Sequence, residues 1–295
     1  MSKITYIVLT ACFVIMAANN IQAQNQDLLN LVKDSSSVKK QWATGAFKST
    51  RVINGQSMEL LGKGVLDVRI LHRFGLLSNG AKELFGLDQA SMRIGFDYGL
   101  TSNLTIGVGR STLNKELDAF FKYRPIRQGA DGGSPVSVVW VSGITVQTLP
   151  WADTSRKNYF SSRVAYYHEI IIGRKFSNAF SLQVSPILVH RNLVAGANDD
   201  NNTWALGIGG RLKLSKRTAF VVDYHPILAG REPGTTDPIS AGFDIETGGH
   251  VFQLHFSNTA GMNEKAFVTG TTDKFFKGDI RFGFNLSRVF QVRKK

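Results

Sequence analysis

The pairing of base and nucleophile in this chain is His255-Phe256-Ser257. Two positions apart on a strand, the imidazole and the hydroxyl share a face. Asp244, on the neighbouring strand and diagonal to His255, suits the orienting acid of such a group. Together they would serve a lipid hydrolase. Strand parity, however, turns the pair toward the polar face, whereas a lipid hydrolase needs access from the bilayer. The plainer reading of Asp244, Gln253 and His255 is a polar cluster on that face.

Other chemistry is sparse. Neither a phosphate-binding loop nor a zinc-ligand spacing is present. Gly107-Val108-Gly109 and Gly207-Ile208-Gly209 are glycine alternations within strands, without the strand–turn–helix context of a dinucleotide site. His250 and His255 fall on opposite strand faces and make poor joint metal ligands. No metal site and no cofactor are expected.

The elements that carry these residues are legible from alternation. From Ile280 the apolar residues Ile280, Phe282, Phe284 and Leu286 occupy every second position, followed by Phe290 and Val292. Arg281, Gly283, Asn285, Ser287 and Gln291 lie between them, and Arg288 and Val289 break the pattern. The same period recurs from Val65 onward, through Leu66, Val68, Ile70, His72 and Phe74, then Met92, Ile94, Phe96, Tyr98 and Leu100, and on along the chain. The apolar face carries large aromatics, and the opposite face holds Gly, Arg and Asp. A soluble β-sandwich or lipocalin-like barrel would have to bury the aromatic face and expose the charged, Gly-rich one. Apolar outside and polar inside is the arrangement of a transmembrane β-barrel. The spacing predicts an all-β antiparallel barrel of about twelve strands. Short connections fall near Ser102, Asn178, Lys216 and Gly248, and long ones near Gly80, Thr154, Asp200, Pro233 and Gly270. A two-residue turn at Gly248-Gly249 would set Ile245 opposite Phe252 and Phe243 opposite Leu254.

The N-terminus reads as an export signal over residues 1–23. Lys3 supplies the positive charge, Ile4 to Ala18 the apolar run, and Ala23 the cleavage position. Leu9-Thr10-Ala11-Cys12 resembles a lipoprotein box, but the apolar run continues past Cys12, the single cysteine. Residues 24–61 are expected as a partly ordered periplasmic lead-in, with Ala46 to Ile53 as a strand or a segment folded into the barrel mouth. Residues 62–295 form the outer-membrane barrel. The formal charge is +13, and removing Lys3 leaves +12.

Parity assigns Arg69, Arg73, Arg93, Asp97, Arg163, Glu169, Asp244, Glu246 and Arg281 to the lumen, with further charges of both signs. A strongly ion-selective pore usually has a lining of one sign. A balanced lining fits a narrow or partly plugged interior in which each charge needs a partner. The excess of positive charge gathers at the short-turn end: Arg174, Lys175, Lys216, Arg217, Arg293, Lys294 and Lys295. Such a rim would serve only solubility and orientation, or would meet lipid head groups of the outer membrane or an acidic periplasmic partner. Nucleic acid is not expected for an exported barrel. Tyr98, Trp140, Trp151, Tyr166, Trp204, Tyr224 and Phe290 suit interfacial aromatic girdles.

Four stretches resemble a family of outer-membrane barrels of the Bacteroidota defined as a domain of unknown function. They are Ser49-Thr50-Arg51-Val52-Ile53-Asn54-Gly55; Gly62 to Asp67 with His72-Arg73-Phe74-Gly75; Glu83-Leu84-Phe85-Gly86-Leu87-Asp88; and the hairpin Phe243 to Leu254. The resemblance implies a barrel in the outer membrane from about Trp42 to the C-terminus. It brings no activity, substrate or catalytic residue. The expected function is a channel, a small-solute transporter or a scaffold for periplasmic partners, with the His255–Ser257 hydrolase as the alternative.

Overall fold

The computed structural model describes residues 41–293 except 152, 156 and 197. The expected signal segment, the first part of the lead-in, Lys294 and Lys295 lie outside these residues.

Alternating sequence becomes alternating burial. In β1 (Val65–Leu76) every second residue from Asp67 is buried, while Leu66, Val68, Ile70, His72 and Phe74 face outward. Next in the chain are β2 (Ala90–Thr101), β3 (Leu104–Ser111), β4 (Glu116–Ile126), β5 (Ser137–Gln147), β6 (Val164–Lys175) and β7 (Phe180–Arg191). After them come β8 (Asn202–Lys213), β9 (Thr218–Tyr224), β10 (Ile227–Ala229), β11 (Ile239–Thr247), β12 (His250–Ser257) and β13 (Arg281–Gln291). All neighbours pair antiparallel, and β13 returns to pair with β1. Closure removes the free edges that an open sheet would present. Pro226 lacks an N–H and interrupts the ladder, so β9 and β10 are two parts of one stave against β8. The barrel therefore has twelve staves. At Gly248-Gly249 both residues have positive φ, and Ile245 pairs with Phe252 and Phe243 with Leu254. Among the described residues no helix is long and apolar enough to cross a membrane.

Exposed Phe96, Val108, Trp140, Ile170, Leu212, Phe243, Leu254 and Phe256 cover the outside as a band that suits lipid. Trp151 is not part of a girdle. It lies in the β5–β6 connection, under the Arg163 guanidinium at 3.8 Å.

The inside departs from a uniformly polar lumen. Arg69, Arg73, Arg93, Asp97 and Asp244 project inward from β1, β2 and β11. From β5 to β8 the inward residues include Val139, Val141, Ile171, Ile187, Val189 and Ala205, all buried. These staves carry apolar residues among the polar ones of their inner face because that face packs against chain that fills the barrel. Val52 and Met58 from the N-terminal side join that cluster, as do Phe267 and Val268 of α1 (Glu264–Gly270).

Candidate functional site

The lumen is occupied by two segments, and its polar residues serve them. The first is residues 46–61. It begins at the short-turn end, where Trp42 bridges to Gly129 and Ala43 N–H donates to the Gln128 carbonyl. Lys175 Nζ donates to the Thr44 carbonyl at 2.8 Å, and Lys48 pairs with Glu246. The segment then runs inward and turns at Asn54-Gly55, with Val52 N–H donating to the Gly55 carbonyl and Ser57 N–H to the Thr50 carbonyl. It returns past Gln183 and Thr105 to the start of β1. Of the two readings of Ala46 to Ile53, the structure has the segment folded into the barrel, and it continues inside to residue 61, its polar backbone finding partners on the wall.

The tip is held almost completely. Asp223 Oδ2 accepts from the backbone N–H groups of Ile53 at 3.3 Å, Asn54 at 2.7 Å and Gly55 at 2.9 Å. Three successive amides converging on one carboxylate oxygen form an anion nest turned onto a fixed anion. Asn54 donates through Nδ2 to Ser240 Oγ at 2.8 Å and accepts at Oδ1 from Arg73 at 2.7 Å. The tip carbonyls are satisfied as well: Thr50 by Lys122, Ile53 by Asn285, Asn54 by Arg51 and Gln56 by Gln183. Gln253 Nε2 donates to the Val52 carbonyl at 2.5 Å. Backbone buried in a barrel needs such partners, since an unmet amide costs about 1–3 kcal/mol.

The second segment is the β12–β13 connection, folded inward at the long-loop end. Asn263 caps α1, its Oδ1 accepting from Ala266 N–H at 2.8 Å. Asn263 Nδ2 and Lys265 Nζ both donate to Glu116, at 2.8 and 2.7 Å. Phe267 packs on the His225 ring at 4.7 Å between centroids. The segments meet at Glu264, whose Oε1 accepts from Arg51 Nη1 at 2.8 Å and Gln56 Nε2 at 3.1 Å.

Cavities remain on both sides of this filling. A vestibule of about 550 Å³ at the long-loop end is lined by residues that include Glu116, Thr145, Arg163, Arg191, Glu232 and Lys265. A smaller one of about 280 Å³ at the short-turn end includes Lys48, Glu59, Asp67 and Glu246.

The residues singled out from sequence divide accordingly. Arg69 pairs with Asp67 and, at 3.8 Å, with Asp97; Arg93 pairs with Asp118. Glu169 is buried on the inner wall. Asp244 accepts from Gln253 at 2.6 Å, and Glu246 is partly exposed at the mouth. Arg281 pairs with Asp273. Arg163 is corrected from lumen wall to vestibule, since it precedes β6 in a short 3-10 turn, Phe160–Arg163. Arg174, Lys175, Lys216, Arg217 and Arg293 all fall at the short-turn end, with Arg174 over the Phe176 ring at 5.2 Å.

His255 and Ser257 are buried inward but are not assembled for catalysis. Ser257 Oγ accepts from Ser240 Oγ at 2.7 Å, Asp244 is engaged by Gln253, and neither His255 nitrogen has a hydrogen-bond partner among the described residues. Sequence reasoning missed Arg51, Asn54, Gln56, Gln183 and Glu264 as site residues. The available signal was Asn54-Gly55, a turn dipeptide within a stretch with no strand alternation.

The family described as membrane bound beta barrel domain (DUF5777) matches residues 47–290. No curated protein matches the chain. Among solved structures it is similar to the NanC porin, with TM-score 0.49 and 9% identity over 76% of this chain and 98% of that one. It is also similar to the KdgM porin, with TM-score 0.47 and 9% identity over 77% and 99%. LpxR from Salmonella typhimurium gives TM-score 0.38 and 11% identity over 77% and 99%. At these scores the structural likenesses carry no argument about function.

Proposed function

The chain belongs to this family of membrane-bound β-barrels, and from that premise we propose that it is a gated channel for a small polar solute across the outer membrane, held closed by its own chain. The observation that carries this reading is the way residues 46–61 are bound. Their backbone is held by Lys122, Gln183, Asp223, Gln253 and Asn285 rather than by covalent or wholly apolar contacts. A polar bond exchanged for water changes free energy by about 0.5–1.5 kcal/mol, and one to a charged group such as Lys122 or Asp223 by about 1.5–3 kcal/mol. A segment so held can be released stepwise without unfolding the barrel. The two vestibules lie on either side of it, as a closed passage requires. A permanent scaffold has no need of that exchangeable filling, and a hydrolase would need the His255–Ser257 pair assembled.

The test is conductance of the refolded protein in a planar bilayer, compared with Glu264→Gln, which weakens the junction between the two segments. The wild type is expected to be closed with rare openings, and the variant to open more often. A steadily open wild type would remove the plug from the mechanism. A folded Glu264→Gln barrel that stays closed, together with a closed barrel lacking residues 46–61, would make the protein a scaffold.

A further inference from the structure

We infer that the vestibule at the long-loop end is a binding site for a small organic anion, with Arg163 as the group that holds the charge. Four cations line it, Arg163, Arg191, Lys265 and Arg281, against three carboxylates, Glu116, Glu232 and Asp273. The carboxylates are each committed: Glu116 to Lys265, Glu232 to Arg191 and Asp273 to Arg281. Arg163 is left without a carboxylate partner among the described residues. Its Nη1 donates to the carbonyls of Gln147, at 3.0 Å, and Leu149, and its plane lies over Trp151. The guanidinium is thereby fixed in place with donors to spare, the state in which it binds a carboxylate most selectively.

A second observation points the same way. Thr145 is 2% exposed and lines this cavity, yet its hydroxyl has no hydrogen-bond partner among the described residues. A buried donor of this kind is satisfied by an acceptor that enters the cavity. The volume of about 550 Å³ falls in the range of small-molecule sites. The loop that contributes Lys265 and Thr269 to the wall also carries Glu264, so an occupant touches the segment that holds Arg51. This inference names the solute class for the gated-channel reading; recognition of the anion stands apart from that reading, and only its passage rests on it.

The experiment uses the refolded full mature chain and two probes of equal size, succinate and its neutral analogue succinamide. Binding is read by calorimetry and by fluorescence of Trp151, whose contact with Arg163 an anion would disturb. Succinate is expected to bind and succinamide to bind at least about tenfold more weakly. Arg163→Gln should weaken succinate by about tenfold or more, and Thr145→Val by a smaller factor. Trp151→Phe should remove the fluorescence change while leaving the calorimetric signal. Equal binding of the two probes, no binding to a demonstrably folded barrel, or unchanged succinate affinity in Arg163→Gln would overturn the assignment. Because the readout is binding, anion recognition in a barrel that never conducts would sustain this inference and sink the channel, and conductance without anion binding would do the reverse.

Discussion

Arg51 and Glu264 lie 213 residues apart in the chain and form a buried ion pair at 2.8 Å inside the barrel. One belongs to the segment that enters at the short-turn end, the other to the loop that folds in from the opposite end. Each side chain is at most 2% exposed, so the attraction is little screened and neither charge can turn to solvent. The pair is the junction at which the two segments meet.

Removing one partner should therefore loosen both segments. Breaking a buried pair on one side costs about 3–5 kcal/mol, whereas replacing both by apolar groups costs much less. Ser57→Cys provides a reporter, since Ser57 is fully buried and the described chain has no cysteine. A hydrophilic maleimide should label it slowly in the parent and on the order of a hundredfold faster in Glu264→Gln. The double variant Arg51→Met/Glu264→Leu should label more slowly than either single variant. Equal rates in all four would mean that the pair does not hold the segment.

Asp223 should be the strongest single anchor of the tip. Asp223→Asn keeps an acceptor oxygen but removes the charge that three amides share, and hydrogen bonds to charged groups contribute about 1.5–3 kcal/mol. Hydrogen exchange at Ile53, Asn54 and Gly55 should accelerate by at least about tenfold, with the strand amides of β1 and β13 unchanged. Unaltered exchange at those three amides would show the nest to be incidental.

Gly55 has a steric requirement that is independent of charge. A Cβ there would lie 2.8 Å from His225 Cε1 and 3.0 Å from Nε2. His225 cannot readily yield, being bonded to Asp223 at 2.8 Å and packed under Phe267. Gly55→Ala should displace the tip at a cost of about 1–3 kcal/mol, seen as faster Ser57→Cys labelling without loss of barrel folding. Labelling at the parental rate would mean that the tip has more room than the contact distances allow.

A barrel relieved of its first inner segment should discriminate poorly between ions. The inward charges Arg69, Arg73, Arg93, Lys122 and Arg211 face Asp67, Asp97, Asp118, Glu169 and Asp244 across the wall, and a lining of mixed sign has no dominant field. The reversal potential of the variant lacking residues 46–61 under a salt gradient should sit near zero. A strongly anion- or cation-selective current would contradict this balance.

Ser257→Ala should remove two hydrogen bonds, those donated by Ser240 Oγ and by Thr259 N–H, and cost about 1–3 kcal/mol. Lipid-ester turnover in proteoliposomes should be the same for the variant and the parent. Loss of turnover with Ser257 alone would restore the hydrolase reading.

Alternation in the sequence was enough to determine the barrel. Side chains of a strand change face at every residue, so Ile245, Phe243, Phe252 and Leu254 fix both the outer face and the hairpin register without knowledge of the rest of the chain. That the inward charges must be partnered was legible from their balance in a confined interior, but the pairing of Arg69 with Asp97 and of Arg281 with Asp273 was not. The sequence allowed for a partly plugged interior with Ala46 to Ile53 at its mouth, and tertiary structure decided how far that segment enters and what holds it. Residues 46–61 have no strand period, and the Asn54-Gly55 turn gives a bend without a destination. Their contacts with Asp223, Gln253 and Asn285 span roughly 170 to 230 positions of sequence, and local pattern carries no information at that range. The inward Val139, Ile171 and Val189 acquire their meaning only when a second apolar surface is packed against them. Strand parity reports which way a side chain points, and the closed, plugged barrel determines what it meets there.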